Sequence, residues 1–221
     1  MFPIYLPIDD PELQYGAARF AGKPNIYTHG KGVDLSGLEE RHILYIFAHG
    51  RYSSGGSICG SVKGRSGEKI VRKTAAEVAS ELVKAKLPKS IRDIRALVCW
   101  GGYVGGSREW EAGGQKRLLS RNAAEAPFAG QLCSALKGKG YKMLTVTGYT
   151  GSVAFKKQGA KGVVTSVFVQ QNSDVADWIA DTLLDESLSL SQPQTRARSG
   201  MGHERSGGNQ TLSNANRTVW Y

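Results

Sequence analysis

Apolar residues in this chain gather into short runs, separated by polar segments of helical period or of turn composition. Residues 42–48, HILYIFA, are continuously apolar and end at His49-Gly50, and their length and β-branched and aromatic content predict a buried strand. The Gly- and Ser-rich stretch 51–70 reads as a loop or hairpin. Thr74 with Glu77 three residues on is a capping-box pattern, and Ala75, Val78, Ala79, Leu82 and Val83 follow at helical spacing until Pro88. Residues 94–98, IRALV, predict a second buried strand that delivers Cys99 at its end. The glycine-rich loop that begins at Trp100 reads as long and mobile.

Residues 127–137 predict a helix opened by Pro127 and closed by Gly138 and Gly140, and 141–147 a third strand. A hairpin is expected over 149–170 and an amphipathic helix over 174–186. Beyond Ser187 the chain is polar and nearly free of large apolar residues. Residues 188–221 therefore read as a flexible polar tail after a 1–187 domain, although the final TVWY is apolar enough to dock as a short strand. Strands alternating with helices imply an α/β fold with a mostly parallel sheet covered by helices on both faces. Ligands of such sheets sit beyond the carboxyl ends of the strands, where His49 and Cys99 both lie.

Composition narrows the partners. The 221 residues carry 29 Lys and Arg against 19 Asp and Glu, a net charge of +10 that favours anionic ligands. These charges are dispersed, and no basic block or aromatic–basic repeat marks a nucleic-acid groove. No run reaches the ~18 apolar residues of a membrane span. The N-terminus lacks a basic leader, which predicts a cytoplasmic protein or one exported by a leaderless route. Three cysteines without a CxxC pair or histidines at finger spacing predict neither a disulfide framework nor a structural metal, and no cofactor is required. Cys133, inside FAGQLCSAL, reads as a buried, inert thiol.

Cys99 has a different context. A thiol attacks a carbonyl as thiolate and needs a base beside it. Neighbouring parallel strands ending in His49 and Cys99 would bring imidazole and thiol to one rim. The N–H groups of Gly50 and Cys99 could then hold an oxyanion. Glycine after the histidine leaves the substrate carbonyl unobstructed.

The segments ILYIFAHG and IRALVCWGG resemble the His-Gly and Cys strand ends of clan CD cysteine peptidases, the caspase-like group, with the cysteine about 50 residues after the histidine. The Gly-Ser hairpin after the histidine, the helix before the cysteine and the segment FAGQLCSALKGKGYKMLTVTGYTGSV are most similar to the self-cleaving peptidase domains of RTX and clostridial toxins. The likeness covers roughly residues 40–165. It implies a caspase-like three-layer sandwich and a Cys99–His49 dyad that cleaves protein or peptide substrates, its own chain included. It also implies a bacterial effector or toxin role and activation by an inositol polyphosphate. Val98 and Trp100 depart from the family's residues around the cysteine, and the Trp100 indole either lines the substrate pocket or obstructs substrate.

Two other readings compete. CWGG and FAHG also resemble the nucleophile and oxyanion turns of dienelactone-hydrolase-like α/β-hydrolases, with Cys99, Asp174 and His203 as the triad. Against this, Leu97 stands where the elbow needs glycine. A non-catalytic caspase-like binding module would keep Cys99 buried and unreactive. His29 and His42 read as turn and surface residues, and Asp9, Asp10, Glu39 and Glu40 as solvated loop acids.

Overall fold

The computed structural model describes residues 2–20, 24–50, 56–64, 67–99, 101–102, 126–149, 152–158, 163–170, 210–212 and 217–221. A six-stranded sheet organises them. Its strands are β1 (Phe2–Leu6), β2 (Pro24–Thr28), β3 (Ile43–Ala48), β6 (Asp93–Val98), β7 (Thr145–Tyr149) and β11 (Arg217–Trp220). Their order is β11-β7-β6-β3-β1-β2, with every pair parallel except β11 against β7. A two-stranded hairpin, β4 (Ser57–Gly64) and β5 (Gly67–Thr74), stands beside the sheet. A three-stranded antiparallel unit contains β8 (Ser152–Gln158), β9 (Val163–Gln170) and β10 (Gln210–Leu212).

Strand alternation divides the core in two. Tyr5, Leu44, Ile46, Ala48, Ala96 and Val98 point to the face covered by α2 (Ala75–Lys84) and α3 (Phe128–Gly138). The intervening Ile4, Leu6, Phe47 and Leu97 pack on the other face with Leu13 and Ala17 of α1 (Pro11–Ala17). The fold is thus mixed α/β around a mostly parallel sheet, as the periodicity predicts. Among the described residues no helix is long and apolar enough to cross a membrane.

Local signals explain several boundaries. Thr74 and Glu77 form the expected capping box, each side chain accepting from the other's backbone N–H. Helix α2 ends before Pro88, because Lys86 takes a left-handed conformation (φ 61°) and Leu87 N–H returns to the Leu82 carbonyl. The third strand begins at Thr145 rather than 141. Tyr141 is instead buried in a turn, where its hydroxyl donates to the Leu87 carbonyl at 2.7 Å. The N-terminal β1, α1 and β2 are additions to the sequence reading. The expected helix over 174–186 lies outside the described residues.

The final strand closes one edge of the sheet. Trp220 is 7% exposed and rests on α3, where a Cβ on Gly130 would come within 2.9 Å of the indole. Trp220→Ala is expected to lower unfolding stability by about 3 kcal/mol in a urea titration, from lost burial and the cavity left behind.

Candidate active site

His49 directly follows β3, and its backbone is fixed from both sides. Its N–H donates to the Cys59 carbonyl at 3.1 Å and its carbonyl accepts from Cys59 N–H at 2.9 Å, an antiparallel bridge to β4. On the sheet side, β3 and β6 run in register through Ala48 and Val98, so the next residues of the two strands are His49 and Cys99. Cys99 shares the core cluster of Phe47 and Leu97. His49 follows the parity of Phe47, so the two residues belong to the same face, the one that carries α1.

Gly50 has a structural reason beyond the one read from sequence. A Cβ at Gly50 would collide with the backbone carbonyl of Cys99 and with the Val98 side chain. Close approach of the two strand ends therefore requires glycine here. The pair after Trp100 serves packing as well. Gly101 N–H closes a turn onto the Val98 carbonyl at 3.0 Å, Gly102 N–H bonds the Tyr149 carbonyl at 2.8 Å, and Gly102 lies against the backbone of Gly148 in β7. Cys99 is 7% exposed, and its sulfur accepts the N–H of Val153 in β8 at 3.3 Å.

Asp10 corrects the sequence reading. It is not a solvated loop acid but 1% exposed. As N-cap of α1 its Oδ1 accepts from the N–H groups of Glu12 (2.9 Å) and Leu13 (3.2 Å), while Oδ2 accepts from Ser61 N–H of β4 at 2.6 Å. That same Oδ2 lies 3.7 Å from His49 Nε2, an ion-pair distance rather than a hydrogen bond. Gly60 leaves the room, since a Cβ there would approach Asp10 Oδ2 to 3.1 Å. The sequence did hold a signal: Asp10-Pro11-Glu12 is an N-cap, a first-turn proline and a first-turn acid.

A cavity of about 380 Å³ opens beside this pair, walled by Asp10, Glu12, His49, Gly50, Cys59 and Lys63 among others. Cys99 is not part of that wall; it sits behind Gly50. The hairpin forming the outer wall is tied down at its base by Lys73. Its ammonium bonds the Pro7 carbonyl (2.6 Å) and Glu81 (2.5 Å), and Glu81 also accepts from the Tyr5 hydroxyl at 3.0 Å. Burial, and then the adjoining carboxylate, push the Tyr5 phenol well above its ordinary range.

The other candidates have plain places. His29 follows β2 with Nδ1 3.4 Å from Glu81, and His42 accepts the Glu39 N–H at 2.8 Å in the turn before β3. Asp9 pairs with Lys31, Glu39 with Arg41 and Glu40 with Arg92 at the surface. Trp100, Asp174 and His203 lie outside the described residues. Among the described residues no group of three or more His, Cys, Asp or Glu is arranged to hold a metal. No protein-family model matches the chain, and no curated protein is significantly similar to it.

Two outcomes are expected. Asp10→Ala removes the cap and strands the Ser61 N–H, and is expected to cost about 2 kcal/mol in chemical denaturation. Burial raises the Cys133 thiol pKa, so Cys133 stays protonated through neutral pH and its thiolate appears only at more alkaline pH than an ordinary thiol's. Peptide mapping after iodoacetamide treatment at neutral pH should find Cys133 unmodified in the native protein and modified once unfolded.

Proposed function

We propose that this chain is a cysteine peptidase of the caspase-like type, with Cys99 as nucleophile and His49 as base. The observation that carries the reading is the in-register ending of β3 and β6 at His49 and Cys99, on one face of the sheet. A sheet with α1 on one face and α2 and α3 on the other supports the finer assignment to a caspase-like three-layer sandwich.

In the proposed reaction His49 accepts the thiol proton, and the Cys99 thiolate attacks the scissile carbonyl. The N–H groups of Gly50 and Cys99 hold the oxyanion. The His49 imidazolium then protonates the leaving amine, and a water activated by the same imidazole hydrolyses the thioester. Asp10 acts through His49: its buried carboxylate orients the ring from Nε2 and stabilises the imidazolium.

Trp100 lines the substrate pocket in this proposal. Substrates are proteins or peptides, including the chain itself, and an anionic inositol polyphosphate serves as activator. The setting is a bacterial effector or toxin, cytoplasmic or exported without a leader.

Incubation of wild type and variants with casein, with and without inositol hexakisphosphate, tests this by mass spectrometry of the substrate and of the chain. Cys99→Ala should abolish cleavage. His49→Ala should lower kcat/KM by at least about 1,000-fold, and Asp10→Asn by about 10- to 100-fold, mainly in kcat. His203→Ala should leave cleavage unchanged. Full turnover in Cys99→Ala would end the proposal, and loss of turnover in His203→Ala alone would move the chemistry to an α/β-hydrolase triad.

A further inference from the structure

The end of the sheet opposite the cleft carries a second feature of the surface. Two loops meet there, 85–92 before β6 and 139–144 before β7. They are locked together by the Tyr141 hydroxyl on the Leu87 carbonyl (2.7 Å) and by Thr145 N–H on the Arg92 carbonyl (2.8 Å). Lys89 lies across Gly140, its Nζ 3.0 Å from where a Cβ would stand. Lys89, Lys139 and Lys142 are exposed on these loops, and none makes an ion pair among the described residues. Lys84 and Lys137 flank them from the last turns of α2 and α3, where they also offset the helix dipoles. The nearby acids are already engaged, Asp34 by Lys86 and Glu40 by Arg92. Met143, next to Lys142 on the 139–144 loop, has 65% of its surface exposed.

We propose that this lysine-rich face, which includes Met143, docks on a bilayer surface rich in anionic phospholipid. Lysines present compact point charges rather than the planar forks that grip single phosphates, and Tyr141, the aromatic residue of these two loops, is buried and offers a base no stacking platform. Several exposed ammonium groups on the two joined loops, together with one exposed thioether, match a charged interface with an apolar layer beneath it. Docked this way, the protein turns the His49 cleft away from the membrane, because the loops precede β6 and β7 while His49 and Cys99 follow the strand ends.

Co-sedimentation of the full chain with phosphatidylcholine vesicles, plain or with about 30% phosphatidylserine, tests the face. Binding is expected only to the anionic vesicles, and to be lost at about 0.5 M salt. Each lysine removed from the face should weaken partitioning about fivefold, so Lys89→Glu/Lys139→Glu/Lys142→Glu should abolish it. Lys63→Glu/Lys69→Glu/Arg72→Glu makes the same charge change on the β4–β5 hairpin and should bind nearly as wild type. Met143→Asp should weaken binding further than Met143→Ala. Equal loss in the two triple variants would overturn the proposal, since net charge alone would then account for binding. So would equal binding to plain vesicles, or duplex DNA binding more tightly through the same three lysines.

Discussion

The backbone of Gly50 lies against the carbonyl of Cys99, with no space for a Cβ between them. That contact fixes the distance between two strand ends, and the rest of the site is arranged around it. β3 and β6 must stay in register to their last residues, and the chain must turn away at once after Cys99. Gly101, Gly102 and Gly148 meet the second requirement, since their bare Cα atoms let the turn close on β7. Glycines that composition alone assigns to a mobile loop are here part of a packed junction.

A second constraint is polar. Asp10 joins three elements through one carboxylate: it caps α1, receives Ser61 N–H from the hairpin and faces the His49 imidazole. A buried carboxylate is tolerable because backbone N–H groups replace its hydration. The arrangement couples hairpin position to ring orientation, because β4 supplies both the Ser61 donor and the Cys59 bridge that holds the His49 backbone. The Lys73–Glu81–Tyr5 cluster holds the base of the same hairpin beside that bridge, since Lys73 pairs with Ile58 and Arg72 with Cys59. Substitutions far from the imidazole can therefore act on it by shifting β4.

Elements with dense local signals were legible in the sequence. β3 and β6 are uninterrupted apolar runs, and α2 carries both its cap and its periodic face. β1 is a run of the same kind, but Pro3 and Pro7 break its pattern, and β2 begins at Pro24; both sit where pairing is supplied by distant strands. Tyr141 reads as part of a strand because burial looks alike in a strand and in a turn, and only its hydroxyl's partner 54 positions away distinguishes them. His49 and Cys99 stood out because each ends an apolar run. Asp10 did not, because next to Asp9 it looks like any surface acid, and its burial depends on Ser61 and His49, both remote in sequence.

The claim that His49 activates Cys99 is tested most directly by the rate of Cys99 alkylation as a function of pH, read by peptide mapping in wild type and His49→Ala. The account predicts a wild-type thiolate already abundant at neutral pH, below the ordinary thiol pKa of about 8.5, and a curve displaced upward in His49→Ala with a rate at pH 7 lower by about tenfold or more. Superimposable curves for the two proteins would contradict it.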